Sequence, residues 1–180
     1  MKWLVVVAAA LAALWYGLVG GRRLDEQLVR DYYQTAAHAV LSRNPEAQCK
    51  LLSKSASIRQ DTLMAGQTKS DSFGQAQACD QYRRAQQFFE EMGEKAGGML
   101  TIEYEYELGR IDISADRKSA TIEFTSTLKM GETFMQFRTA STDRLVRRWG
   151  SVELIAADAK TRVSFVPGAM VDPARYFQSQ

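Results

Sequence analysis

The chain has 180 residues, 46% hydrophobic and 24% charged, with 3 Pro and 12 Gly. Those proportions are those of an ordinary globular domain and exclude a disordered, collagen-like or coiled-coil chain. Two Cys are too few for a disulfide-built miniprotein, and a single histidine, His38, excludes a multi-histidine metal site.

The net charge of +2 is unevenly placed. Residues 1–23 hold Lys2, Arg22 and Arg23 and no acid, which leaves 20 Lys and Arg against 21 Asp and Glu in the body. A near-neutral body carries no electrostatic footprint for nucleic acid, so no nucleic-acid partner is expected.

From Trp3 to Gly21 no residue is charged. As a helix, the 18 residues Trp3–Gly20 would reach about 27 Å, near the thickness of a bilayer's hydrocarbon layer. Trp3 at one end and Trp15 and Tyr16 near the other match interfacial aromatic placement. The rival reading is a cleaved signal peptide, because Ala10-Leu11-Ala12 has the small-x-small form of a cleavage site. Cutting there would leave the apolar stretch Leu14–Val19 at a new terminus, so the segment reads as a retained single-pass anchor. Cys49 and Cys79 are an even pair in the body and are expected to form one bridge, two buried free thiols being the alternative. Disulfides persist in oxidising compartments. The expected location is therefore the inner membrane with the body in the periplasm; secretion after signal cleavage is the alternative.

The body opens with a helix over 24–43. Leu28/Val29, Tyr32/Tyr33, Ala36/Ala37 and Val40/Leu41 recur at helical spacing, with Asp31, Gln34, Thr35, His38 and Ser42 opposite. Asn44-Pro45-Glu46 restarts a short second helix to about Ser53, with Asn as N-cap and Pro at the first helical position. Residues 54–71 read as polar and irregular. A third helix is expected from Ser72 to Ala96, ended by Gly97-Gly98.

The period then changes from 3.6 to 2. Ile102, Tyr104, Tyr106 and Leu108 alternate with Glu103, Glu105 and Glu107, which predicts a strand with one buried and one wet face. A turn at Ala115–Lys118 leads to a second strand through Ala120, Ile122 and Phe124. After a turn at Met130–Glu132, a third strand covers Thr133–Ala140. A turn is expected at Ser141–Asp143, a hairpin about Gly150 between Arg144–Trp149 and Ser151–Ala157, and a last strand over Thr161–Val166. Helices followed by consecutive antiparallel strands define an α+β domain.

This order resembles the nuclear transport factor 2-like fold. The stretch Asn44-Pro45-Glu46-Ala47-Gln48-Cys49-Lys50-Leu51-Leu52 looks like that fold's second-helix segment, and residues 141–150, from Ser141 to Gly150, look like its late hairpin. The resemblance covers residues 24–166. It implies three N-terminal helices on a curved, mostly antiparallel, cone-shaped sheet of cystatin-like form, here preceded by one transmembrane helix. Three regions follow: an anchor over 1–23, the α+β domain over 24–166 and a tail over 167–180. Proteins of this fold include ketosteroid isomerase-like enzymes, polyketide cyclases and non-catalytic binding or assembly domains, so fold alone does not set activity.

No catalytic set, metal site or cofactor motif is identified. His38 falls on the polar face of the first helix. Glu103, Glu105 and Glu107 lie about 6.6–7 Å apart along one strand, a solvated outer face. Arg147 and Arg148 beside Trp149 point to opposite faces of a strand and form no joint anion site. Tyr32, Tyr33, Tyr104 and Tyr106 are the pocket candidates, with core packing as the plainer role. Two function classes remain. One is a membrane-tethered periplasmic domain of the bacterial envelope that binds a protein partner or a small apolar ligand. The other is a small-molecule enzyme using isomerase- or cyclase-like acid–base chemistry. A buried Asp or Glu facing a Tyr would favour the second.

Overall fold

The computed structural model describes residues 5–7, 23–95, 101–131 and 135–165, the side chain of Phe165 excepted. Helix α1 (Glu26–Leu41) is capped by Asp25, whose carboxylate accepts from the Leu28 N–H at 2.9 Å. Its wet face is the one expected: Asp31, Gln34, Thr35, His38 and Ser42 are all exposed, while Val29, Tyr32, Tyr33, Ala37 and Ala39 are buried. Helix α2 (Pro45–Lys50) is capped by Asn44, which accepts from the Ala47 N–H, with Pro45 opening the first turn. It stops sooner than the sequence suggests, because Leu52 and Ser53 already belong to a strand.

The stretch read as irregular is a β-hairpin. Strand β1 (Leu52–Met64) pairs antiparallel with β2 (Gln67–Gly74) across a two-residue turn at Ala65 (φ 49°) and Gly66 (φ 81°). Positive φ at both central positions fits the right-handed strand twist. Ala-Gly lacks the Asn-Gly or Asp-Gly signature, and Gln67–Ser72 are all exposed along the sheet edge, so no alternating apolar face announces the strand. Helix α3 accordingly runs Gln75–Lys95, and Phe73 is a buried residue at the end of β2 instead of the helix's first apolar position. Its expected Gly97-Gly98 stop lies outside the described residues.

Four long strands follow: β3 (Ile102–Ile113), β4 (Ser119–Met130), β5 (Met135–Arg148) and β6 (Ser151–Phe165). The expected turn at Ser141–Asp143 is absent. β5 and β6 are each one continuous strand, paired from Met135↔Phe165 to Arg148↔Ser151. The six strands are ordered β2-β1-β6-β5-β4-β3, all antiparallel except the parallel β1/β6 pair. The helices therefore do not all precede the sheet: a hairpin separates α2 from α3, and β6 returns beside β1. Register shifts at Leu52/Ser57, Leu108/Ile111 and Arg144/Leu145 bend the sheet around the helices.

Two apolar clusters hold helices to sheet. The larger joins Leu24, Val29, Tyr32, Tyr33, Ile122 and Leu145. The smaller joins Met130, Met135 and Val163, with Phe88 and Phe89 of α3 packed on it. Helix α3 touches both, since Ala78, Cys79 and Tyr82 belong with the first. Cys49 and Cys79 are disulfide-bonded, Cα atoms 5.3 Å apart, joining α2 to α3.

Among the described residues no helix is long and apolar enough to cross a membrane. Of the Trp3–Gly20 segment only Val5–Val7 is described; these residues are helical and exposed. The rest of that segment, and residues 167–180 of the expected tail, lie outside the described residues.

Candidate functional site

The strand alternation expected for β3 holds in part: Glu103, Glu105 and Glu107 are exposed and Ile102, Tyr104 and Leu108 are half-buried, but Tyr106, expected on the buried face, is 36% exposed. The four tyrosines come together there. Tyr33 meets Tyr32 edge-on (centroids 5.3 Å apart), stacks on Phe124 of β4 (4.8 Å) and lies 6.4 Å from Tyr106, which is 6.2 Å from Tyr104.

The centre of this group is a residue that the sequence reading assigned to a turn. Asp143 is 7% exposed in the middle of β5 and accepts from the Tyr33 hydroxyl at 2.7 Å through Oδ2 and from the Ser141 hydroxyl through Oδ1. Burial pushes its carboxyl above the usual carboxylate range, while the hydrogen bonds from Ser141 and Tyr33 pull the other way. The phenols around it respond to the same dry setting. Burial, then the Asp143 charge, raises Tyr32 and Tyr33 far above the ordinary phenol value. Tyr82 is pushed up to about 12, again by burial first and Asp143 second. Tyr104 is raised by burial and drawn down by its hydrogen bond to Ser126.

Because β5 keeps an unbroken register with β6 from Met135 to Arg144, Asp143, Ser141 and Thr139 share one face. Their neighbours across the ladders complete a graded surface. Asp143 lies between Ile122 and Ala157, Ser141 between Phe124 and Ala159, Thr139 between Ser126 and Thr161, and Phe137 between Leu128 and Val163. On β1, Gln60 and Thr62 stand beside Ala159 and Thr161. The hydroxyls are linked: Thr139 and Thr161 oxygens are 3.0 Å apart, and the Gln60 amide donates to Thr161 and Thr62, each at 3.4 Å. A band of hydroxyl and amide groups thus crosses the helix-facing side of the sheet between two apolar clusters, with aromatic rings on one flank and one buried carboxylate at its edge. Such a band can orient a ligand that is mostly apolar and carries one or two polar groups.

His38 is exposed on α1, away from this band. Arg147 donates to the Arg23 carbonyl at 2.6 Å and Arg148 to the Ser53 hydroxyl at 3.4 Å, so the two do not converge on one point. Among the described residues no group of His, Cys, Asp and Glu is placed to hold a metal ion.

No protein-family model and no curated protein sequence matches the chain. Solved structures do. It is similar to a nuclear transport factor 2-like protein of unknown function from Shewanella baltica (12% identity, 75% of this chain and 91% of that one, TM-score 0.51). It is similar to LinA (16% identity, 82% and 92%, TM-score 0.55). It is also similar to a putative scytalone dehydratase from Novosphingobium aromaticivorans (12% identity, 78% and 84%, TM-score 0.52). The chain has the nuclear transport factor 2-like fold. That fold is shared by proteins of unknown function and by enzymes, so it leaves both functional classes in play.

Proposed function

We propose that this chain is a membrane-tethered, extracytoplasmic binding domain that takes a small, mainly apolar ligand against the hydroxyl band of β5 and β6. One observation carries the choice of binding over catalysis: Asp143 is 7% exposed, with its oxygens accepting from Tyr33 and Ser141 of the domain itself. The carboxylate holds Tyr33 and Ser141 in place and lies beneath the side chains that bury it, so a ligand on the band meets hydroxyl groups before it meets this group. The Cys49–Cys79 bridge supports a body in an oxidising compartment. The uncharged run from Trp3 to Gly21 supports the tether.

Anilinonaphthalene sulfonate, an apolar fluorophore with one polar group, tests this reading. Its emission rises on binding to the folded chain, and Thr139→Leu, which puts bulk into the band, lowers its affinity while the circular dichroism spectrum stays that of the parent. Probe affinity unchanged by Thr139→Leu overturns the proposed location of the site.

A second reading, acid–base catalysis, has its own observation: a buried carboxylate facing a phenol, the arrangement that the sequence analysis set as the sign of chemistry. It requires that substrate reach a carboxylate that is 7% exposed. Crystals soaked with the probe, in which no probe atom comes within hydrogen-bond distance of Asp143, would weigh against it.

A further inference from the structure

We infer that the end of the domain built from the β3–β4 and β5–β6 turns is a docking surface for anionic phospholipid headgroups. This inference rests on the membrane-anchor reading above, because the chain enters the domain at that end. Leu24 is fully buried there; its N–H donates to the Arg117 carbonyl and its carbonyl accepts from Arg117 Nε. Arg147 holds the Arg23 carbonyl, and the Arg147 N–H donates to the Lys118 carbonyl at 3.1 Å, which sets the two turns side by side. The described chain therefore resumes, at Arg23, next to both turns.

Charge and shape at this end fit an anionic bilayer. Arg23, Arg117, Lys118, Arg147 and Arg148 gather there, with Arg22 adjacent in sequence. Three acids lie among residues 22–26 and in the two turns: Asp25 caps α1, Glu26 pairs with Arg30, and Asp116 accepts from the Ser114 hydroxyl and the Lys118 N–H and lies 4.0 Å from Lys118 Nζ. The cations outnumber them, so the end keeps a positive field. Lys118, Val146, Arg147, Arg148 and Trp149 line one surface hollow. Trp149 is 73% exposed at the tip of its hairpin, at φ 51° with Gly150 at φ 89°. A bulky residue in the left-handed region is unusual, since Asn, Asp or Gly fills such a turn at less steric cost. An exposed indole ringed by cations is suited to the headgroup layer, where an amphipathic ring and basic side chains both gain. The arginines act through their summed field and need not share a point.

The test uses the full chain carrying Trp3→Phe and Trp15→Phe, which leaves Trp149 as the single tryptophan. It is reconstituted into phosphatidylcholine vesicles and into equimolar phosphatidylcholine–phosphatidylglycerol vesicles, both with brominated acyl chains. Trp149 emission is expected to be blue-shifted and quenched in the anionic vesicles, to recover in high salt, and to stay unquenched in the zwitterionic ones. Adding Lys118→Gln and Arg148→Gln lowers the salt needed for recovery, each lost cation weakening docking by about five-fold. Unquenched emission in both vesicles, or quenching indifferent to the charge variants, overturns the inference. Alkaline carbonate extraction reads the anchor separately. A chain retained in the bilayer yet unquenched keeps the anchor and loses the docking surface. A chain released by carbonate yet quenched on anionic vesicles at low salt keeps the surface and loses the anchor.

Discussion

The Tyr33 hydroxyl donates to Asp143 at 2.7 Å across 110 residues of sequence, tying the middle of α1 to the middle of β5. Two things follow for stability. The phenol is kept neutral by burial and by the adjacent charge, and the carboxylate is kept dry by the rings around it. Removing either partner leaves a polar group in a place that water does not reach.

Tyr33→Phe should therefore cost about 1–3 kcal/mol in urea unfolding, the range for leaving a buried polar group short of a partner. The ring stacking on Phe124 survives in that variant, so a loss well beyond this range would point to a wider rearrangement.

Asp143 also predicts a pH dependence. Burial raises its folded-state pKa above the unfolded value of about 3.9. The folded state then binds the proton more tightly, so this group's stabilising contribution is complete below the unfolded pKa and is lost as pH rises through the folded one. Asp143→Asn abolishes the term. The stability difference between parent and variant should move in the parent's favour as pH is lowered through the weakly acidic range. Unfolding curves at several pH values check this, and a pH-independent difference would contradict it. Comparing the two proteins cancels exposed carboxylates such as Glu46 and Asp116, which are shifted downward by Arg83 and Ser114 respectively.

The Cys49–Cys79 bridge closes a loop with a sequence separation of 30. In the chain-entropy account such a loop is worth about 3–4 kcal/mol. Cys49→Ser with Cys79→Ser should lower the urea midpoint by that equivalent. Thiol titration of denatured, non-reduced protein should find no free thiol; two per chain in protein from its native compartment would remove the main support for an extracytoplasmic body.

Phe124→Ala and Glu105→Ala probe the two faces of the sheet. Phe124 stacks on Tyr33 and its loss should cost about 3 kcal/mol, the low end for a buried Phe because it is only partly covered. Glu105 is exposed, 3.8 Å from Lys129 Nζ, and its loss should stay within about 0.5 kcal/mol. Equal losses would mean that the faces are exchanged, as a one-residue slip would make them.

Trp149→Asn should raise stability by up to about 1 kcal/mol, because Asn takes the left-handed conformation at lower cost. The same variant loses the exposed indole. A gain in stability joined to a loss of vesicle docking would mark Trp149 as retained for contact at the expense of the fold.

What the sequence determined by itself was local. Asn44 announced its helix because capping is satisfied within three residues, whereas the Asp25 cap, which starts α1 at Glu26 and not at residue 24, showed only in the structure. The Ile102–Leu108 strand and its wet glutamates were legible because alternation needs only one strand and one buried face. The sequence limited the cysteines to one possible pairing, and the structure joins them with Cα atoms 5.3 Å apart. The β1–β2 hairpin was not legible. Its outer strand is an exposed edge, and its inner strand carries Gln60 and Thr62 where an apolar side chain would have signalled burial. Asp143 was misplaced for the same reason. Ser-Thr-Asp has the composition of a turn, and only the pairing of β5 with β4 and β6 on its two sides, with Tyr33 supplied by a helix 110 residues away, makes a buried carboxylate tolerable there. Polar residues are informative about structure through their partners, and those partners became neighbours only when the sheet closed around α1.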